Sequence, residues 1–298
     1  MVRRKGTYGA TKKYIWCEKK GHLVHRKKEE IGMKDDKYLE ARDKMVRKAN
    51  ELIQKSRFSL STQQQKIVLY LISQISQNDD DFKLYTFKIQ DFCRVCGIDA
   101  TSGKNYSDLK VAIKEIADKS LWITIGDKET LLRWIKQPYI DKKAGIIEIQ
   151  LDKNMKPFLL QLKENFTQYE LLWTLHFKSK YTIRLYELIA SIHYHDLETY
   201  ERIYPLEELK RLLGAETYKT YKDFKRRALD CSVDEINKYS NKNLSYETIK
   251  SGRSVSKIKL IISSKDTFES AKIRSDIEKE FGFNQMTLWD KLEDKGLV

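Results

Sequence analysis

The chain has 298 residues, 41% of them apolar, with 17 tyrosines and 11 phenylalanines; this supports two domains with their own cores and excludes a disordered polymer. Lys and Arg exceed Asp and Glu by 57 to 43, and the formal surplus of +14 creates a positive field that attracts polyanions, nucleic acid first and an acidic membrane surface second. No run approaches the roughly 18 apolar residues of a membrane span, the N-terminal MVRRKGTYGATKKYIW has no signal-like apolar core, and four cysteines are too few for a disulfide framework, so a reduced, cytoplasmic protein is expected.

Residues 1–30 carry ten Lys or Arg against three Glu and are interrupted by Gly6, Gly9 and Gly21, the pattern of a flexible basic arm. From Glu29 to Lys55 the apolar residues Tyr38, Ala41, Met45, Ala49, Leu52 and Ile53 fall on one side of an expected helix. Ser61 is an N-cap for a strongly apolar helix containing Ile67, Val68, Leu71, Ile72 and Ile75 and ending near Ser76. A short strand at Leu84–Phe87 and a short helix at Ile89–Cys96, stopped by Gly97, come next. The turn at Ser102-Gly103-Lys104-Asn105 leads to a helix over Tyr106–Asp118 with Leu109, Ala112, Ile113 and Ile116 inward, and three strands are expected at Leu121–Ile125, Leu131–Ile135 and Ile146–Leu151.

After the apolar pieces Phe158–Leu162 and Tyr169–Leu175, the stripe Leu185, Leu188, Ile189 and Ile192 predicts a helix over Tyr181–Ser191 that opens a second domain. A short amphipathic helix follows Pro205, with Leu206, Leu209, Leu212 and Leu213, and stops at Gly214. Then comes Tyr221–Asn237, a basic amphipathic helix. Phe224, Ala228, Leu229, Val233 and Ile236 form its apolar side, while Lys222, Lys225 and Arg226 share the opposite one. The runs Leu244–Ile249 and Ile258–Ile262 flank the turn at Ser251-Gly252, predicting a hairpin with Lys250, Arg253, Lys257 and Lys259 on or beside its tip. A further helix is expected over Phe268–Phe281.

Helix, turn, longer helix and hairpin thus occur twice, an internal duplication of organisation. The copies differ in charge. YSDLKVAIKEIADK mixes acids and lysines, whereas the second copy concentrates base at Lys222, Lys225, Arg226 and Arg227. The expected fold is α+β, two tandem winged-helix domains. The boundaries read as a basic arm at 1–30, a first winged-helix domain at 31–160 for dimerisation and auxiliary DNA contact, a second at 161–265 as the principal DNA reader, and a helical extension at 266–298.

Two short motifs carry residue types of metal chemistry. His193-Tyr194-His195 has the spacing of a nickase metal site but follows a helix and runs into Asp196, Leu197 and Glu198, so it reads as histidines near a helix C-terminus. Cys93-x-x-Cys96 has no second CxxC, with Cys17, His22 and His25 some seventy residues away, and reads as core thiols. The phosphate-binding Gly-x-x-x-x-Gly-Lys-Ser/Thr loop is absent from the sequence. No enzymatic activity, cofactor or metal is expected.

The blocks Lys178-Ser-Lys-Tyr with Arg184-Leu-Tyr-Glu, Phe224-Lys225-Arg226-Arg227 and Glu235-Ile-Asn237 closely resemble, in order and spacing, the plasmid replication initiator proteins that bind repeated origin sequences. The resemblance is clearest over residues 165–262 and extends loosely back to Asn50. It implies two winged-helix domains, monomeric binding to directly repeated origin DNA (iterons), and a dimer that represses its own gene or pairs origins. It also implies origin opening and recruitment of the host initiator, replicative helicase and primase. The resemblance places the reading helix on Tyr221–Asn237 and carries over Lys222, Lys225 and Arg226; with Lys219 and Arg227 beside them and Lys250, Arg253 and Lys257 flanking the predicted turn, these are the candidate DNA-binding residues. A winged-helix transcriptional repressor without origin function is the alternative, and a rolling-circle origin nickase a more distant one.

Overall fold

A computed structural model of the chain describes residues 37–96, 103–141, 143–192 and 198–281. The expected basic arm, the Cys17, His22 and His25 group, Gly97, Ser102, His193, His195 and the end of the C-terminal extension lie outside that set.

The chain enters through helix α1 (37–43), strand β1 (Met45–Ala49), a short helix α2 (Asn50–Gln54) and strand β2 (Ser56–Arg57). One helix over Glu29–Lys55 is therefore corrected within its described part. Its apolar spacing fits a helix, but Met45–Ala49 pairs antiparallel with Phe166–Glu170, Val46 opposite Tyr169, and tertiary pairing overrides the local period. Helix α3 (Thr62–Ser73) starts at a reciprocal cap: Gln64 N–H donates to the Ser61 hydroxyl at 3.3 Å, and Ser61 N–H donates to the Gln64 side chain at 3.0 Å.

Strand β3 (Tyr85–Lys88), helix α4 (Ile89–Val95) and helix α5 (Gly103–Asp118) follow, then β4 (Ser120–Ile125), β5 (Lys128–Arg133), β6 (Tyr139–Asp141) and β7 (Ile146–Ile149). Helix α5 already includes Gly103, Lys104 and Asn105, which were expected in a turn. Leu109, Ala112, Ile113 and Ile116 are buried along it. Two small antiparallel sheets result, in the orders β2-β4-β5 and β3-β7-β6. Cys93 and Cys96 are buried thiols, in no disulfide and packed in the core, and burial pushes the Cys96 thiol up to about 12.

The chain continues through α6 (Lys156–Leu159), β8 (Phe166–Glu170), α7 (Leu172–Leu175) and α8 (Lys180–Ala190), then β9 (Thr199–Pro205), α9 (Leu206–Leu213) and α10 (Tyr221–Phe224). A wide π turn over Lys225–Leu229 joins α10 to α11 (Asp230–Tyr239); β10 (Lys242–Ser251), β11 (Ser254–Ser264) and α12 (Thr267–Glu280) complete the described chain. The second copy's sheet has the order β10-β11-β9. In both copies the strand that precedes the short helix closes the later sheet, β3 on β7 and β9 on β11. The architecture is two tandem winged-helix units.

Helix α8 sits between the copies, touching α2, α3 and β8 on one side and α9 and α11 on the other. Its polar residues are buried too. Lys48 Nζ lies 2.5 Å from a Glu187 oxygen that also accepts the Tyr169 hydroxyl at 2.6 Å, and Arg184 is 3.7 Å from the other carboxylate oxygen. The Arg184 guanidinium donates to the carbonyls of Ile53 and Leu212 at 3.2 Å and of Ser56 at 3.4 Å, and stacks 4.3 Å from the Phe58 ring. One buried charge cluster thereby ties α2 and β2 to the end of α9.

Candidate nucleic-acid interface

The second unit builds its basic surface on a helix whose start and back are both fixed. Gly214 ends α9 with φ +68°, and a Cβ there would meet the Phe58 carbonyl oxygen at 3.1 Å, so both the left-handed backbone and the close approach favour glycine. Thr220 then caps α10, its hydroxyl accepting Asp223 N–H at 3.1 Å and donating to the Asp223 carboxylate at 2.8 Å.

Phe224, Ala228, Ser232 and Ile236 are all fully buried at successive four-residue steps. A regular helix would rotate such a stripe by roughly 40° per step. The π turn takes up one extra residue, roughly 100° of rotation, and keeps all four pointing inward. The sequence expectation of one regular helix over Tyr221–Asn237 is corrected to α10, π turn and α11, ending at Tyr239. Arg226 and Arg227 lie in the π turn, with side chains 67% and 57% exposed. Each is only loosely tethered to Asp223, at 3.7 and 3.9 Å. Lys219 and Lys222 are exposed at and just before the start of the helix.

Lys225 stands apart from them. Its Nζ is 2.7 Å from Asp230, whose other oxygen accepts the Tyr246 hydroxyl of β10 at 2.6 Å. The hydrogen bond to Asp230, then that with Tyr246, raises the lysine's affinity for its proton. Burial alone would lift the Asp230 carboxyl, but the bonds from Lys225 and Tyr246 outweigh it and hold it below its ordinary value. The structure thus gathers Lys225, Asp230 and Tyr246 into a brace between the helix and the base of the wing.

The wing is longer than the two apolar runs suggest: β10 and β11 pair from Lys242 opposite Ser264 to Ser251 opposite Ser254, with a register shift at Ile249/Lys250. Gly252 turns the tip with φ +61°. Lys250, Arg253 and Lys257 are exposed on it. Lys259 is not a tip residue. It bridges Glu247 at 2.7 Å and Glu201 at 3.3 Å across the sheet. Strand β9, absent from the sequence expectations, supplies Glu201; Tyr200 and Tyr204, both buried and on one face of the strand, were the readable signal.

The residue blocks that carried the family resemblance turn out to be joints as much as contacts. Glu235 accepts the backbone N–H groups of Lys178 and Ser179 at 3.2–3.3 Å, bonding α11 to the segment that starts α8. Asn237 donates to the Leu244 carbonyl at 2.9 Å and accepts Leu244 N–H at 2.7 Å, fixing the helix end to β10.

Residues 45–190 match the family model described as initiator replication protein, WH1, and residues 205–262 match initiator Rep protein, WH2. The chain belongs to the initiator replication protein family. A solved structure, the Pi initiator protein in complex with iteron DNA, matches this initiator with a TM-score of 0.64 at 19% identity, over 76% of this chain and 99% of that one. The likeness to that structure is one of fold. On α5, the first unit's counterpart of the reading helix, Lys114 pairs with Asp118 at 2.8 Å, and Lys119 just after the helix pairs with Glu115 at 3.1 Å, so the bases at that end are internally paired. Among the described residues of this initiator, no group of three or more His, Cys, Asp or Glu is placed to hold a metal ion, and no helix is long and apolar enough to cross a membrane.

Proposed function

We propose that this initiator acts at a plasmid origin by binding directly repeated sequences through its second winged-helix unit, with the reading helix over Tyr221–Tyr239 in the major groove. One observation carries the reading: Lys222, Arg226 and Arg227 are exposed on a helix whose opposite side is wholly buried, within a chain of the initiator family. Arg226 and Arg227 suit base edges because the guanidinium fork matches the two acceptors of guanine, while Lys219 and Lys222 suit phosphates. Lys250, Arg253 and Lys257 on the wing add a second backbone contact.

Binding then favours opening of the adjoining duplex and assembly of the host initiator, helicase and primase; the chain itself performs no catalytic step. Self-association belongs to the first unit, whose β4–β5 hairpin presents the cross-strand neighbours Trp122 and Leu131 at 49% and 52% exposure. A dimer formed there represses the chain's own gene.

The test is titration of the protein against origin fragments carrying intact or scrambled direct repeats, with permanganate mapping of unpaired thymines on supercoiled origin plasmid. Tight binding to intact direct repeats with new permanganate reactivity beside them is expected. Binding confined to an inverted repeat at a promoter, without reactivity, would replace this reading with that of a simple repressor.

A further inference from the structure

Helix α12 lies outside both family-matched spans, as does α1. The two nevertheless meet. Asp266 caps α12 by accepting Glu269 N–H at 2.7 Å, so the helix starts directly after β11 of the second unit. Buried Ile277 turns inward, and the helix packs along α11, the back half of the reading helix. From there it reaches the other end of the chain. Arg274 bonds to Asp43 of α1 and to Glu170 of β8, the strand paired with β1, and its guanidinium lies 5.4 Å from the Trp173 ring.

Two turns further on, at the helix C-cap, Phe281 lies 4.1 Å from the fully buried guanidinium of Arg42. His176 is enclosed at the same seam: its Nε2 is 2.8 Å from Glu280, and its ring is 4.1 Å from Tyr239 of α11 and 5.2 Å from Phe281. One helix therefore touches the reading helix and, through Arg274, Glu280 and the C-cap Phe281, grips Arg42 and Asp43 of α1, Glu170 of β8 and His176 after α7.

We propose that α12 is a strap that fixes the second unit's reading helix relative to the first unit, so that loosening Arg274 and Phe281 frees the two units to change their relative orientation. The strap's charged grips are partly exposed: the side chains of Arg274 at the middle of the helix, of its partner Asp43 on α1 and of Glu280 at the helix end are 26%, 52% and 52% exposed. Between Arg274 and Glu280 the helix buries Ser275, Ile277 and Glu278. The partly exposed charged grips release first, while buried Ile277 keeps the helix on α11. The reading of DNA binding enters only in the consequence: a released strap lowers affinity for a site long enough to engage both units and leaves affinity for a site spanning the second unit alone unchanged.

The experiment measures the protein without DNA. Spin labels are attached through p-acetylphenylalanine at Thr130 on β5 and Ser245 on β10, two exposed positions on different units, in the full chain. Pulsed dipolar spectroscopy should give one narrow distance for the parent, and a broadened or second distance for Arg274→Ala and for Arg274→Ala/Phe281→Ala, with far-UV circular dichroism unchanged. Asp43→Lys repels Arg274 from an exposed position without opening the core, and should broaden the distance in the same direction. An unchanged narrow distance in the folded Arg274 variants overturns the proposal. If those variants do not fold, an unchanged distance in Asp43→Lys overturns it. Because these distances are read without DNA, failure to bind repeats would count against the functional reading alone.

Discussion

Lys225 is bound to Asp230 five residues along the same helix, Nζ to carboxylate oxygen at 2.7 Å, although by sequence spacing it belongs to the free basic face. An acid five residues away is out of register on a regular helix and comes into reach across the π turn. Lys225→Ala should therefore lower affinity for repeat DNA less than Arg226→Ala does, while loosening the link from helix to wing through Tyr246. Fluorescence anisotropy at fixed salt, alongside amide exchange of β10, would show it; a larger affinity loss for Lys225→Ala than for Arg226→Ala would contradict the brace.

Arg226 and Lys222 should separate by the kind of contact each makes. Arg226→Ala is expected to lose sequence discrimination, about 1–3 kcal/mol between intact and scrambled repeats, if its fork reads a base. Lys222→Ala should weaken both fragments by similar factors, as a phosphate contact does. Competition titrations with the two fragments decide this, and equal behaviour of both variants on both fragments would remove the assigned face.

The wing should contribute charge rather than sequence. Changing Lys250, Arg253 and Lys257 together to glutamine keeps Gly252 and the turn but removes the positive charges. Affinity should fall alike for matched and mismatched repeats, and the slope of log affinity against log salt should shrink by at most about 0.9 per lost contact. Parental affinity and slope in a folded triple variant would leave the helix as sole reader.

Self-association should track the hairpin of the first unit. Trp122→Ser together with Leu131→Ser removes an exposed cross-strand apolar pair, so the folded core should be preserved while dimerisation weakens at least tenfold. Sedimentation equilibrium of the full chain checks it, and an unchanged dimer constant would move the interface elsewhere.

Local periodicity made much of this fold legible. The leucines of α9 with Gly214, the Ser61 cap and the turn at Gly252 each state their structure within a few residues. What stayed hidden depends on distant partners. Strand β1 is a strand because Phe166–Glu170, more than a hundred residues later, lies beside it; its own apolar spacing reads as helix. The π turn was visible in principle, since Phe224, Ala228, Ser232 and Ile236 repeat every four residues, yet Ser232 does not look like a core residue until its hydroxyl is seen 3.2 Å from that of Thr182. At the interface, residue type located the basic face but not which base was already paired, because Asp230 and Tyr246 meet Lys225 only in the folded unit. The blocks around Arg184 and Glu187 were legible as a resemblance, while their buried, bridging role required the structure.

That bridging role gives the last prediction. Glu187 is fully buried between Lys48 and Arg184; burial would raise its carboxyl, but the two cations outweigh it and hold the folded value below the ordinary 4.5. Glu187→Gln leaves two buried cations without their counter-charge and should cost about 3–5 kcal/mol, whereas Lys48→Met/Glu187→Leu, which removes one cation with the acid, should cost less than the single change. Because the folded carboxyl is depressed, its contribution is complete above pH 4.5 and is lost as pH falls through the lower folded value. The stability gap between parent and Glu187→Gln should thus be flat with respect to this carboxyl from pH 8 to about 5 and close below that. Urea unfolding across that range measures it. A gap that closes above pH 5, or a double variant less stable than the single one, would show that Glu187 is not the charge holding Lys48 and Arg184 at the junction.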